Sequence, residues 1–147
     1  MDMFRLNHEQ LLKGVNMSFQ RYLSRRIKWD KRLIGIFGAK GVGKTTLLLQ
    51  HIKSAYGDSH EALYLPLDNI WFQERQMLSE TVKQFYEKGG RHLFLDNIHR
   101  YGNWMQTIER LLEDYPDMQV VFTAPLLAEG EMPDLSFGGK GNWYMLH

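Results

Sequence analysis

Eight consecutive residues in this 147-residue chain have a spacing with chemical content: Gly38-Ala39-Lys40-Gly41-Val42-Gly43-Lys44-Thr45. The run fits G-x-x-x-x-G-K-[ST], a loop that holds phosphate. Glycines let a backbone turn tightly around a phosphate without Cβ clashes. The exposed amide N–H groups, and the N-terminus of a helix opening there, then face the anion. In that arrangement the backbone from Gly38 to Thr46 surrounds the phosphates. Lys44 reaches the β- and γ-phosphates of a nucleotide, and the Thr45 hydroxyl ligates Mg²⁺. Magnesium needs a carboxylate nearby. Asp96 ends the apolar run His92-Leu93-Phe94-Leu95 and should emerge beside the phosphate loop, as a Walker B aspartate does. Asp68 closes another apolar run and faces the same edge. It reads first as a loop cap and, in the alternative, as a candidate base, one methylene shorter than Glu.

These residues need a scaffold. Leu33-Ile34-Gly35-Ile36-Phe37 reads as a buried strand leading into the loop, and a helix should run from near Gly43 through Leu47, Leu48, Ile52 and Ala55 to Gly57. Ala62 to Leu67 reads as a second strand. Pro66 cannot donate to a ladder, which puts that strand at a sheet edge. Met77, Leu78, Val82, Phe85 and Tyr86 mark a helix stopped by Gly89-Gly90, and Leu93 to Leu95 a third strand. A helix from Trp104 to Tyr115 ends at Pro116. Val120 to Thr123 is a fourth strand and Trp143 to Leu146 a fifth, with 124–142 as a loop. At the start, Asn7 with Gln10 resembles a helix cap. Leu11, Leu12, Val15, Phe19, Tyr22 and Leu23 follow at helical spacing. Alternating strands and helices predict an α/β fold with a mostly parallel sheet covered on both faces. The chain reads as one domain, with 1–30 an N-terminal helical segment and 31–147 the core.

Composition narrows the class. The 44% hydrophobic and 13% aromatic content excludes disorder. No apolar run approaches the ~20 residues of a membrane span, and the N-terminus does not read as a signal peptide. The absence of cysteine excludes disulfides and thiol chemistry and fits a cytoplasmic protein. Residues 1–73 hold 11 Lys/Arg against 6 Asp/Glu, and 74–147 hold 7 against 11. The first half is thus suited to an anion and the second to supplying acidic groups.

Three stretches carry a resemblance: Leu33 through Leu49, Leu93-Phe94-Leu95-Asp96-Asn97-Ile98-His99-Arg100-Tyr101, and Asn103-Trp104, joined by Ala62-Leu63-Tyr64-Leu65 through Asp68. Together they resemble the nucleotide-binding core of the prokaryotic AAA-type ATPases that carry a C-terminal domain of unknown function. The resemblance implies a three-layer P-loop NTPase fold of the additional-strand class, with sheet order 5-1-4-3-2. It also implies ATP and Mg²⁺ as ligands, with the family's lid and C-terminal domain following His147. Three positions depart from the family pattern. Asn97 replaces the glutamate that polarises the attacking water, and an amide is no base. Thr123-Ala124-Pro125-Leu126 replaces a polar Thr-Gly-Ser-Ser turn, leaving Thr123 to sense the γ-phosphate. Leu135-Ser136-Phe137-Gly138-Gly139-Lys140 lacks the family's arginine, a source of transition-state charge stabilisation. The expectation is a domain that binds Mg·ATP with weak or absent hydrolysis.

Other residues offer rival readings. Arg21, Arg25, Arg26, Lys28, Lys31 and Arg32 form a basic cluster. It reads either as a solvated helix end, where cations suit the dipole, or as a nucleic-acid contact with Tyr22 and Trp29 stacking on bases. The six histidines show no metal-ligand spacing, and His99 should lie near the phosphates. Trp71, Trp104 and Trp143 read as core or rim aromatics. A small kinase needs a lid carrying arginines, which this sequence does not offer. A guanine-reading Asn-Lys-x-Asp run is missing, which favours ATP over GTP. The alternatives to a weak ATPase are a nucleic-acid-associated ATPase and a purely regulatory nucleotide-binding module. Expected partners are ATP and ADP, with a protein partner or second copy left open and no membrane.

Overall fold

The computed structural model describes residues 2–18, 22–39, 41–73, 76–125 and 141–146. Five strands form one sheet: β1 (Leu33–Phe37), β2 (Ala62–Pro66), β3 (His92–Asp96), β4 (Gln119–Ala124) and β5 (Gly141–Met145). Their order is β2-β3-β4-β1-β5, and every pairing is parallel. This is the expected 5-1-4-3-2 order of a P-loop fold. Parallel neighbours need crossover connections, and helices supply three of them: α3 (Lys44–Ala55), α4 (Met77–Glu87) and α5 (Trp104–Asp114). Two further helices, α1 (Asp2–Gly14) and α2 (Tyr22–Arg26), precede β1.

Alternation along the strands divides the core between the two faces of the sheet. Leu33 and Phe37 of β1, Leu93 and Leu95 of β3 and Val120 and Phe122 of β4 pack with α4 and α5 through Leu78, Val82, Phe85, Ile108 and Leu111. On the other face, Ile34, Ile36, Phe94 and Val121 pack against Leu47, Leu48 and Ile52 of α3 and Leu23 of α2. Nearly all strand side chains from β1 to β4 are buried, which explains their continuous apolar runs. Pro66 lies on β2 at the sheet edge, where its missing N–H breaks no ladder bond.

The N-terminal segment differs from expectation. Asn7 is inside α1 rather than at its cap, because the helix starts five residues earlier, at Asp2. Its inward stripe is Phe4, His8 and Leu12, at four-residue intervals, while Leu11 is exposed. A buried histidine in the middle of the stripe hid this register from an apolar-periodicity argument. Nor does the helix continue through Val15. It stops at Gly14, and the Asn16 side chain accepts hydrogen bonds from the Ser18 N–H (2.8 Å) and hydroxyl (2.7 Å), which satisfies a turn instead. Phe19 lies outside the described residues. The expected 124–142 loop is trimmed at both ends, by Ala124 in β4 and by Gly141 and Asn142 in β5. Residues 126–140 lie outside the described residues.

Candidate functional site

β1 delivers the chain to the glycine-rich loop at the C-terminal edge of the sheet, and α3 begins at Lys44. Gly38 is tightly enclosed: a Cβ there would lie 2.5 Å from the Leu146 carbonyl oxygen. Gly41 and Gly43 have φ of 87° and 96°, a backbone region that disfavours side chains. These backbone demands account for the three glycines of the motif before any ligand is considered. The Lys44 ammonium is turned back on its own loop, donating to the carbonyls of Gly38 and, at 3.1 Å, of Ala39. Burial lowers its pKa, and the Asp96 charge acts in the opposite direction.

Asp96 ends β3 with 1% of its surface exposed and is held by three hydroxyls. Thr45 Oγ1 donates to Oδ2 at 2.5 Å, Tyr64 Oη to the same oxygen at 2.6 Å, and Thr123 Oγ1 to Oδ1 at 2.5 Å. The structure therefore joins Thr45 and Asp96, 51 residues apart in sequence. Burial, followed by the charge of Asp96, raises the pKa of Tyr64, so its phenol remains a donor. Thr123 is fully buried behind the carboxylate, and its oxygen also accepts the Asn97 N–H at 2.9 Å. Its hydroxyl is thus committed to Asp96 and away from the cleft.

A cleft of about 440 Å³ opens beside this cluster, lined by Gly41, Gly43, Lys44, Thr45, Thr46, Asp68, Asn97, His99, Arg100 and Pro125. This volume falls in the range of small-molecule sites. Asp68, Asn97 and His99 thus face one space with the phosphate loop. A hydroxyl and a carboxylate are hard oxygen donors of the type Mg²⁺ takes, usually alongside waters and substrate phosphates. Thr45 and Asp96 meet that chemistry.

The AAA domain family matches residues 30–131. The chain belongs to that family. No curated protein matches it. Among solved structures, it is similar to PCH-2 of C. elegans (17% identity, TM-score 0.55, covering 99% of this chain and 41% of that one). It is also similar to AMPPCP-bound DnaA from Aquifex aeolicus (18%, 0.53, 95% and 44%) and to RuvB from Thermotoga maritima (15%, 0.51, 99% and 44%). The chain spans less than half the length of these structures, and at such identities the likeness concerns the fold.

Other predicted residues of this AAA domain have structural duties. Arg32, from the basic cluster, caps α5: its guanidinium donates to the carbonyls of Leu112, Tyr115 (2.9 Å) and Met118 (3.2 Å). Trp29 stacks on His51 with ring centres 3.7 Å apart and donates to the Ser24 carbonyl. Both side chains thus have intramolecular partners in the fold. Arg21 and Lys40 lie outside the described residues, as do Leu126 and the 135–140 run. Trp71, Trp104 and Trp143 pack at the margin of the core as expected.

Two site residues escaped the sequence reading. Tyr64 appears there only as a strand residue, yet it is two positions before Pro66, which pairs with Asp96 in the β2–β3 register. Arg100 was part of the resemblance but received no role. Its signal was its position, four residues beyond Asp96 on the turn leaving β3.

Proposed function

We propose that this AAA domain holds Mg·ATP in the cleft at the C-terminal edge of its sheet, with slow hydrolysis or none. The observation that carries this reading is the convergence of Lys44, Thr45 and Asp96 beside one cleft lined by the phosphate loop. Backbone amides from Gly38 to Gly43 bind the phosphates. Lys44 exchanges the carbonyls of Gly38 and Ala39 for β- and γ-phosphate oxygens, a charge-assisted contact stronger than those it leaves. Thr45 and Asp96 would hold Mg²⁺, which would neutralise phosphate charge when bound. Tyr64 and Thr123 keep the carboxylate in one orientation. Asn97 occupies the place where a base would activate water, and its amide takes no proton. That leaves binding as the stronger activity of the domain.

Calorimetry with Mg·ATP, Mg·ADP and Mg·GTP, followed by phosphate release on the same sample, tests the reading. ATP should bind and release phosphate slowly. Lys44→Ala should weaken Mg·ATP by roughly 10- to 100-fold, the value of a hydrogen bond to a charged group. Unchanged affinity in that variant would remove the phosphate-loop assignment.

A further inference from the structure

We propose that Arg100 reads the γ-phosphate, so that the cleft distinguishes a nucleoside triphosphate from a diphosphate through a cation supplied by the chain itself. The inference rests on the nucleotide reading above and adds a specificity residue to it.

Arg100 lines the same cleft as Gly41, Gly43, Lys44 and Thr45, although 55 residues separate it from Thr45. It sits on a 3₁₀ turn, Ile98–Arg100, that leaves β3 directly after Asp96 and Asn97. The turn is firmly held. Asn97 takes a left-handed conformation with φ of 56°, reversing the chain at the strand end, and its N–H is bound to Thr123. Ile98 is fully buried in the core beside α5. The Arg100 N–H returns to the Asn97 carbonyl at 3.1 Å, and the Tyr101 N–H to that of Ile98 at 2.9 Å. The backbone that carries the guanidinium is thus fixed, which limits the entropy lost on binding.

Lys44 and Arg100 thus stand on two walls of one cleft, the phosphate loop and the β3 turn. His99 lines the cleft between them. Burial is the first cause of its lowered pKa, and the charges of Arg100 and Lys44 come next, opposed by Asp68 and Asp96. The phosphate loop surrounds the phosphates, and Lys44 reaches the β- and γ-phosphates from that wall. The turn follows Asp96 at the end of β3 and lines the same cleft as the phosphate loop, which is where we place contact with the terminal phosphate. A guanidinium presents two parallel N–H groups to two phosphate oxygens. It also offsets the repulsion that the Asp68 carboxylate, on the same cleft, exerts on a γ-phosphate.

The test is calorimetry on wild type, Arg100→Gln and Arg100→Lys. The probes are Mg·ADP and the Mg²⁺ complex of an ATP analogue with a methylene between the β- and γ-phosphorus. Arg100→Gln should lose about 10-fold or more for the triphosphate while Mg·ADP stays within about twofold. Arg100→Lys should recover part of the triphosphate loss, since it keeps the charge and loses the fork. If Arg100→Gln does not fold, Arg100→Lys decides: a triphosphate-only loss supports the inference and equal affinities overturn it. Equal losses for both probes, or unchanged triphosphate affinity, overturn it too. Lys44→Ala separates the two claims. If that variant loses both probes while the Arg100 variants lose neither, the nucleotide site stands and only Arg100's role falls. Wild type that binds neither probe overturns the nucleotide reading and this inference with it.

Discussion

Asn97 joins two properties at one position: a side chain that faces the cleft and a backbone with φ of 56°. Asparagine tolerates the left-handed region better than most residues with a Cβ. The amide that makes Asn97 a poor base therefore also suits it to the turn. Restoring a carboxylate separates the two effects. Asn97→Glu should raise single-turnover ATP hydrolysis, by at most about 10²-fold, the lower end of general-base effects. Larger gains are not expected, because catalytic groups act as a unit and the family's arginine is missing at 135–140. The same change should cost about 1 kcal/mol of stability through the strained φ. Saturating ATP in a rapid-quench experiment, with a thermal melt beside it, measures both. Equal hydrolysis rates at equal affinity would mean that position 97 does not limit turnover.

Elements were legible in the sequence where one residue type had one physical meaning. Pro66 marked an edge strand because it lacks a donor, and the edge is where β2 lies. The glycine spacing located a tight loop before α3, because only glycine accepts the backbone demands at Gly38, Gly41 and Gly43. The Thr45–Asp96 partnership followed from the loop after β1 and the end of β3 sharing one sheet edge. Legibility failed where one residue type had two uses. His8 filled a core position that apolar counting skipped, and Asn97 and Asn103 entered left-handed turns that no Gly announced. Arg32 read as one member of a basic run, yet it caps α5 from 80 residues away. That contact is non-local, so composition could not reveal it. Arg32→Met keeps much of the side-chain stem and removes the donors that the Leu112, Tyr115 and Met118 carbonyls accept at the end of α5. The expected loss is ~1–3 kcal/mol, which lowers the melting temperature by roughly 2–10 °C for a domain of this size. Nucleotide affinity should be unaltered, since the cap lies outside the cleft. An unchanged melting temperature would show that water replaces the guanidinium at no cost.

At the scale of the whole molecule, α1 covers the β2 edge of the sheet. Phe4 enters the core on one face, stacking on Phe72 at 4.5 Å, and Leu12 enters the core on the other. Between them, Arg5 donates to the Ala62 carbonyl at 2.7 Å, and His8 Nδ1 accepts the Tyr64 N–H at 2.9 Å. Side chains thus pair the backbone of an edge strand that would otherwise be open to another chain. This closure depends on a neutral His8. The ring is 1% exposed, and burial first, then the charges of Arg5 and His60, lower its pKa to about 4. In the unfolded chain His8 takes up a proton near its ordinary value of 6.5. The unfolded state therefore binds more protons between about pH 6.5 and 4, and stability falls as pH drops through that window. Above pH 6.5 the stability is fully retained, and below pH 4 the loss levels off. The loss attributable to His8 is on the order of 3 kcal/mol. His51, stacked on Trp29, has a pKa near 4 for the same first reason and adds to the slope. His8→Asn keeps an acceptor, Oδ1, in the place of Nδ1 and cannot be protonated in this range. Melting temperatures measured from pH 7 to 4.5 should decline less steeply in His8→Asn than in the wild type, with similar stability at pH 7. Parallel declines would place the acid sensitivity elsewhere, with His51 the next group to replace.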